Sequence, residues 1–470
     1  MKESLEPVLE RIGQDFDAST QRLLELLAIP SVGTDPAHHA DTRRAASWLK
    51  DYLGTLGFEA GLRETPGHPI VVAHAGSKRA DVPHLLYYGH YDVQPADPLE
   101  LWQTPPFEPT LVEGTHGPRV VARGAVDDKG QVMTFIQAMA AWRAVHGDYP
   151  ARITILLEGE EESGSSNLSA FLAEHADELR ADVCVISDTG MLAVDKPAIT
   201  YMLRGLAYFE VTIWGPRQDL HSGIYGGAVP NPINVLARLL AGLHDANGRV
   251  AIPGFYDDVV EPSAEELAGW AGIAVDEQGF LAEAGLTESS GEAGRTLLER
   301  VWSRPTCDVN GIWGGYTAEG AKTVIPSHAS AKMSFRLVPG QEPEKIVSAV
   351  RAYFTEKLPS GCRLDLKEMG ASPAIRVATE SAFLQLARQA LSRVFDQKPV
   401  LIGCGGSIPV VGAMKSLLGL ESLLLGFGLD DDKVHGPNEK FELVCYRRGI
   451  EAHAAFLAAL AATSVDAIKR

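Results

Sequence analysis

Apolar residues recur at helical spacing over residues 5–27 and again over 42–56. Two short apolar runs follow, at 70–73 and 85–88, and predict buried strands. A helix rich in Ala and Met is predicted over 131–145, then strands over 153–157 and Val183–Ile186. Strands and helices that alternate in this way favour an α/β fold, with a mostly parallel sheet covered by helices on both faces. From about Gly205 the texture changes. Residues 208–213 and 329–338 alternate apolar and polar positions, as strands with one solvated face do, and 363–367 reads as a further strand. Helices are predicted over 230–243 and 344–358, while 257–299 is acidic, helix-prone and poor in strand formers. After Ala374 the first texture resumes, with a helix at 381–394, an apolar run at 421–426 and a closing helix at 441–460. The pattern therefore predicts one α/β domain built from 1–204 and 373–470, interrupted by an α+β domain at 205–372. No internal repeat or low-complexity tract is present.

A chain of 470 residues is long enough for two domains. The net charge of −19 argues against a nucleic-acid partner or an anionic membrane surface. Cys184, Cys307, Cys362, Cys404 and Cys445 are scattered and form no C-x-x-C pair, so neither a disulfide framework nor a thiolate metal site is expected. Residues 1–20 are charged and lack the apolar stretch of a secretory signal, and no apolar run is long enough for a bilayer. The cytoplasm is the expected compartment.

The chemistry sits at the ends of the apolar runs. His90 and Asp92 follow the run at 85–88, one residue apart, so both side chains leave the strand on one face. An imidazole with a carboxylate beside it is an arrangement used to hold metals. Asp127 lies in a glycine-flanked turn before the helix at 131–145, where a helix-capping role would also suit it. Glu158, Glu160, Glu161 and Glu162 crowd the end of the strand at 153–157; like charges this close repel unless cations bind them or some are protonated. Asp188 ends the next strand, and His435 lies in an acidic loop after 421–426. His90, Asp127, Glu162, Asp188 and His435 are thus five candidate ligands of a type that suits zinc, manganese or cobalt. Three ligand carboxylates and one hydroxide balance two divalent ions. Glu161 is then left over, as a general base beside the metals would be. The glycines at 403–406 lack the spacing of a phosphate-binding loop.

The chain resembles the M20 family of metallopeptidases, in its carnosinase-like dipeptidase branch. The segments that carry the resemblance are GHYDVQPA, RGAVDDKG, LLEGEEESGS, ISDTG, DLHSG, AKTVIP, FRLVP, GGSIPV and the loop holding VHGPNE. They run in the family's order from about residue 85 to 440. The resemblance implies two divalent ions per subunit, zinc first and manganese or cobalt as alternatives. It gives one ion to His90, Asp127 and Asp188 and the other to Asp127, Glu162 and His435, with Asp127 shared. Asp92 would orient His90, and Glu161 would be the general base. The inserted domain would be a lid that also forms a homodimer. His221 would reach a neighbouring subunit's active site, and Thr323, Arg336 and Ser407 would hold substrate. On residue type alone, His221 also suits a turn, Arg336 the exposed face of a strand and Ser407 a helix cap. Glu160 departs from the family, which often has an apolar residue there, and 257–299 matches none of its motifs. The implied activity is hydrolysis of dipeptides or short peptides. An N-acyl amino acid deacylase or desuccinylase is the alternative within enzymes, and an inactive metal-binding interaction protein the alternative outside them.

Overall fold

A computed structural model describes residues 4–76, 81–273 and 275–465. The chain forms two compact units. The first comprises Met1–Tyr201, Val377–Ile402 and Ala413–Arg470; the second comprises Met202–Arg376 and Gly403–Gly412.

The first unit is built on a mixed sheet whose centre is parallel. Its strands lie in the order Glu59–Arg63, Ile70–Gly76, Arg152–Glu158, His84–His90, Val183–Ile186, Ser422–Leu424 and the start of Ala198–Leu203. The pairings from Arg152–Glu158 through His84–His90 and Val183–Ile186 to Ser422–Leu424 are parallel, and those outside them antiparallel. Val183–Ile186 is buried throughout, which is why these strands read as continuous apolar runs. Helices flank the sheet. Lys129–His146 is buried at every position from 129 to 139, so Ala and Met fill it in place of an amphipathic stripe. It packs against Leu443–Ala461, Glu6–Gln14 and Phe16–Leu27, while His39–Thr55 packs on the two strands nearest one edge. The single helix expected over 5–27 is two helices, Glu6–Gln14 and Phe16–Leu27, broken at Asp15. The apolar period runs on across the break, so the pattern alone does not reveal it. Among the described residues, no helix is long and apolar enough to cross a membrane.

The second unit carries a four-stranded antiparallel sheet in the order Thr306–Gly314, His328–Leu337, Gly205–Trp214, Arg363–Ser372. Every other residue of Gly205–Trp214 is buried. Phe209, Val211, Ile213, Met333 and Phe335 face Leu236 and Leu239 of the helix Pro232–Ala241, and Val350 and Phe354 of Pro343–Glu356. The acidic stretch at 257–299 holds the helices Ala264–Ala271 and Glu277–Glu283. Part of its charge is matched by two arginines, one near its end and one beyond it. Arg304, 2% exposed, bonds Glu292 through Nε and Nη2 at 2.8 and 2.9 Å and Glu261 through Nη1 at 2.5 Å. Arg295 meets Glu261, Glu292 and Glu299.

Candidate metal centre and active site

Parallel strands that end at one edge of a sheet deliver their next residues to a common cleft. His90 is the last residue of its strand and is fully buried with Asp92. Its Nδ1 lies 3.1 Å from the Asp92 backbone carbonyl and 3.4 Å from Asp92 Oδ1. Asp92 thus holds the ring through its main chain, with its carboxylate as a more distant charge contact. The other carboxylate oxygen, Oδ2, accepts from Glu162 N at 3.1 Å and ties in the acidic turn.

That turn, Glu161–Ser163, follows the strand Arg152–Glu158 directly. Gln94 Nε2 donates to Glu162 Oε2 at 2.7 Å. Glu160, the residue at odds with the resemblance, takes two hydrogen bonds from Asn167 Nδ2, at 3.0 and 2.8 Å. Asp188 comes two residues after Val183–Ile186.

Asp127 ends a loop that turns sharply into the helix Lys129–His146. The helix-cap position is taken by Asp128, whose Oδ2 accepts from His90 N at 3.1 Å, so Asp127 is not the cap. The turn is closed by Gly130 N donating to Gly124 O at 3.3 Å, and a Cβ at residue 130 would run into the carbonyl oxygen of Ala125. Gly130→Ala is therefore expected to lower stability by about 1–3 kcal/mol through overpacking. A shifted denaturant midpoint with unchanged slope would register it, together with poorer retention of metal because Asp127 moves with the turn.

These elements converge. Asp127 Oδ1 lies 3.1 Å from His90 Nε2, and its Oδ2 lies 3.0 Å from His435 Nε2. Glu162 Oε2 is 3.3 Å from the same His435 nitrogen. Ligand atoms of His90, Asp127 and Asp188 all fall within 4.8 Å of one another, as do those of Asp127, Glu162 and His435. Both groups contain Asp127.

The electrostatics of the metal-free cleft ask for cations. Burial, with the charge of Asp127 adding to it, raises the Asp188 carboxyl to about 7. Burial and the neighbouring carboxylates of Asp188, Glu162 and Asp127 raise Glu161 to about 8, against the pull of His90. For Asp127 burial is outweighed by the two imidazoles, and its pKa stays below the usual carboxylate range. His90 Nε2 is buried and has no hydrogen-bond partner among the described residues, although a carboxylate oxygen lies 3.1 Å away. An uncapped imidazole nitrogen facing carboxylate oxygens is the donor set a divalent ion takes. The residues fit two such ions.

The remaining candidates belong to the second unit. His221 pairs with Val324 on a two-residue ladder, which brings it beside Thr323. Its Nδ1 accepts from Gly223 N at 3.0 Å, so it does cap a short turn, and it is exposed. Arg336 Nη1 donates to Ser407 Oγ at 3.0 Å, and Ser407 Oγ donates to Arg204 O at 2.6 Å. The structure thus gathers these four as two pairs. Arg123 and Glu439, which lie in the RGAVDDKG and VHGPNE segments and are joined by no spacing in the sequence, bond each other and the Asp127 loop.

Known proteins resemble this chain along nearly its whole length. The model of peptidase family M20/M25/M40 matches residues 86–459. The Cys-Gly metallodipeptidase of Schizosaccharomyces pombe is 33% identical over 479 residues, which span 99% of this chain and 100% of that protein. The Beta-Ala-His dipeptidase of Homo sapiens is 31% identical over 476 residues, spanning 97% of this chain and 93% of its own. A solved di-peptidase from Saccharomyces cerevisiae has a TM-score of 0.83 at 30% identity, covering 98% of this chain and all of that one.

Proposed function

This chain belongs to peptidase family M20/M25/M40 and is a metallopeptidase; from that premise we propose that it hydrolyses the peptide bond of dipeptides and other short peptides at a two-cation centre. The observation that carries the proposal is the pair of ligand groups that share Asp127, with Glu161 beside them and in neither. Two divalent ions, zinc first and manganese or cobalt as alternatives, held by His90, Asp127 and Asp188 and by Asp127, Glu162 and His435, would polarise the scissile carbonyl and acidify the attacking water.

The chain's own groups do the rest. Glu161 takes the proton of the attacking water and delivers it to the leaving amine, the two halves of acid–base reciprocity. Asp92 fixes the ring of His90 and, through Glu162 N, the turn that carries the base. We assign the substrate's free carboxylate to Arg336, whose planar guanidinium is already oriented by Ser407. Thr323 is assigned to substrate as well, and His221 to the developing oxyanion, supplied from a second copy of the chain. A homodimer through the second unit is supported by its edge strand, Thr306–Gly314, where Ile312 is 58% and Trp313 43% exposed.

The test is a panel of dipeptides, including Cys-Gly and β-Ala-His, offered to apo protein reloaded separately with Zn²⁺, Mn²⁺ or Co²⁺. Dipeptides are expected to be cleaved, and their C-terminal amides more slowly by about 10- to 100-fold, the worth of hydrogen bonds to a charged group. Cleavage of N-acyl amino acids with no cleavage of any dipeptide would make the chain a deacylase instead.

A further inference from the structure

The buried ion pair Arg123–Glu439 joins three loops of the centre. Arg123 is 1% and Glu439 0% exposed at the side chain. Glu439 Oε2 accepts from Arg123 Nη1 at 2.8 Å and from Gly124 N at 3.0 Å. Its Oε1 accepts from Val126 N at 3.0 Å and Asp127 N at 3.1 Å. One carboxylate therefore gathers the backbone of the loop that ends in Asp127. Arg123 Nη2 donates to the carbonyls of Pro95, at 3.1 Å, and His435, at 3.0 Å. The loop after His90 and Asp92, the loop of Asp127 and the loop of His435 meet at this pair.

The His435 loop needs such a hold. Lys433, His435 and Asn438 have φ of 57°, 62° and 63°, and none is glycine. Side-chain-bearing residues stay in the left-handed region only where the surroundings over-determine them. The ties here are Arg123 on His435 O, and Asn438, whose side chain bonds Leu101 O at 2.8 Å and Gln103 N at 2.6 Å. A buried ion pair adds little to stability, because desolvation offsets the attraction. Geometry is the reason left for keeping it.

We propose that Arg123 and Glu439 are positioning residues that lock the His435 loop in register with the Asp127 loop, so that the cation site of Asp127, Glu162 and His435 exists before any cation arrives. The proposal rests on the reading of the two ligand groups as cation sites. His90 and Asp188 are fixed by strand ends, so the other site depends less on the pair.

The test measures two Zn²⁺ dissociation constants by chelator competition on metal-free protein, alongside its thermal unfolding. The His435→Ala variant identifies which constant belongs to which site. Arg123→Met and Glu439→Gln each leave a partner unmatched and are expected to unfold earlier. In the double variant no lone charge is buried, and the Gln oxygen can still accept from Val126 N and Asp127 N while its NH₂ leaves Gly124 N without an acceptor, so the unfolding midpoint is expected to recover in large part. The His435-side constant is expected to stay weakened by about 10- to 100-fold, the usual cost of losing a group that orients a ligand, while the His90-side constant, which meets the pair only through Asp127, weakens less. Recovery of both midpoint and affinity would mean the pair is merely structural and would overturn the proposal, as would equal weakening of both sites. If the double variant does not fold, Arg123→Lys decides, because it keeps the charge and loses the fork; unweakened His435-side binding in it overturns the proposal. Failure of the underlying reading looks different, since the unaltered protein would then bind no pair of Zn²⁺ ions.

Discussion

Glu161→Gln is expected to leave both cations bound and to lower kcat by about 10²- to 10⁴-fold, the usual worth of a positioned general base. Glu161 is in neither ligand group, so its loss removes no donor from the metals. It stands in the turn Glu161–Ser163 beside Glu162, which is a member of one group. In the metal-free chain its carboxyl is raised to about 8, by burial first and by Asp188, Glu162 and Asp127 next. Cations held by these carboxylates would offset the repulsion and return Glu161 toward a base that is ionised at neutral pH. Gln has the same shape and cannot take a proton. KM is therefore expected to change little, because the lost interaction belongs to the transition state. Metal analysis and steady-state kinetics on one preparation check this. Near-normal turnover with both ions present would remove Glu161 from the role.

The ligand groups were legible in the sequence because strand ends concentrate chemistry. His90, Glu162 and Asp188 each follow a short, largely apolar run, and Asp127 sits between glycines that announce a tight turn. What the sequence could not convey is who holds these residues. Arg123 and Glu439 stand 316 positions apart and follow no period. Asp92 reads as a carboxylate partner of His90, but its backbone carbonyl is nearer to the ring. The strand Thr306–Gly314 escaped notice because it is an edge strand exposed on both sides, with a register shift between Val309 and Gly311 that breaks the alternation. The stretch at 257–299 read only as acidic and helix-prone, and two of its counter-charges, Arg295 near its end and Arg304 beyond it, are found by the fold.

Asp127→Asn is expected to have the largest effect, because Asp127 alone serves both ligand groups. One oxygen lies 3.1 Å from His90 Nε2 and the other 3.0 Å from His435 Nε2, so the carboxylate faces a different imidazole on each side. Two imidazoles outweigh its burial and keep it ionised in the metal-free chain, which leaves both oxygens ready as donors. An amide keeps the shape and loses the charge, and it turns an NH₂ group toward one of the two sites. Neither cation then has its shared anion. Metal content after dialysis is expected to fall from two ions to none, and turnover to the uncatalysed background, a fall of at least about 10⁶-fold given the low end of enzymic acceleration. Asp188→Asn and His435→Ala provide the contrast, since each removes a donor from one group only and is expected to leave one ion. If Asp127→Asn instead keeps one ion as tightly as the unaltered protein, Asp127 belongs to a single site, and the charge balance that left Glu161 free as a base would have to be drawn again without a shared carboxylate.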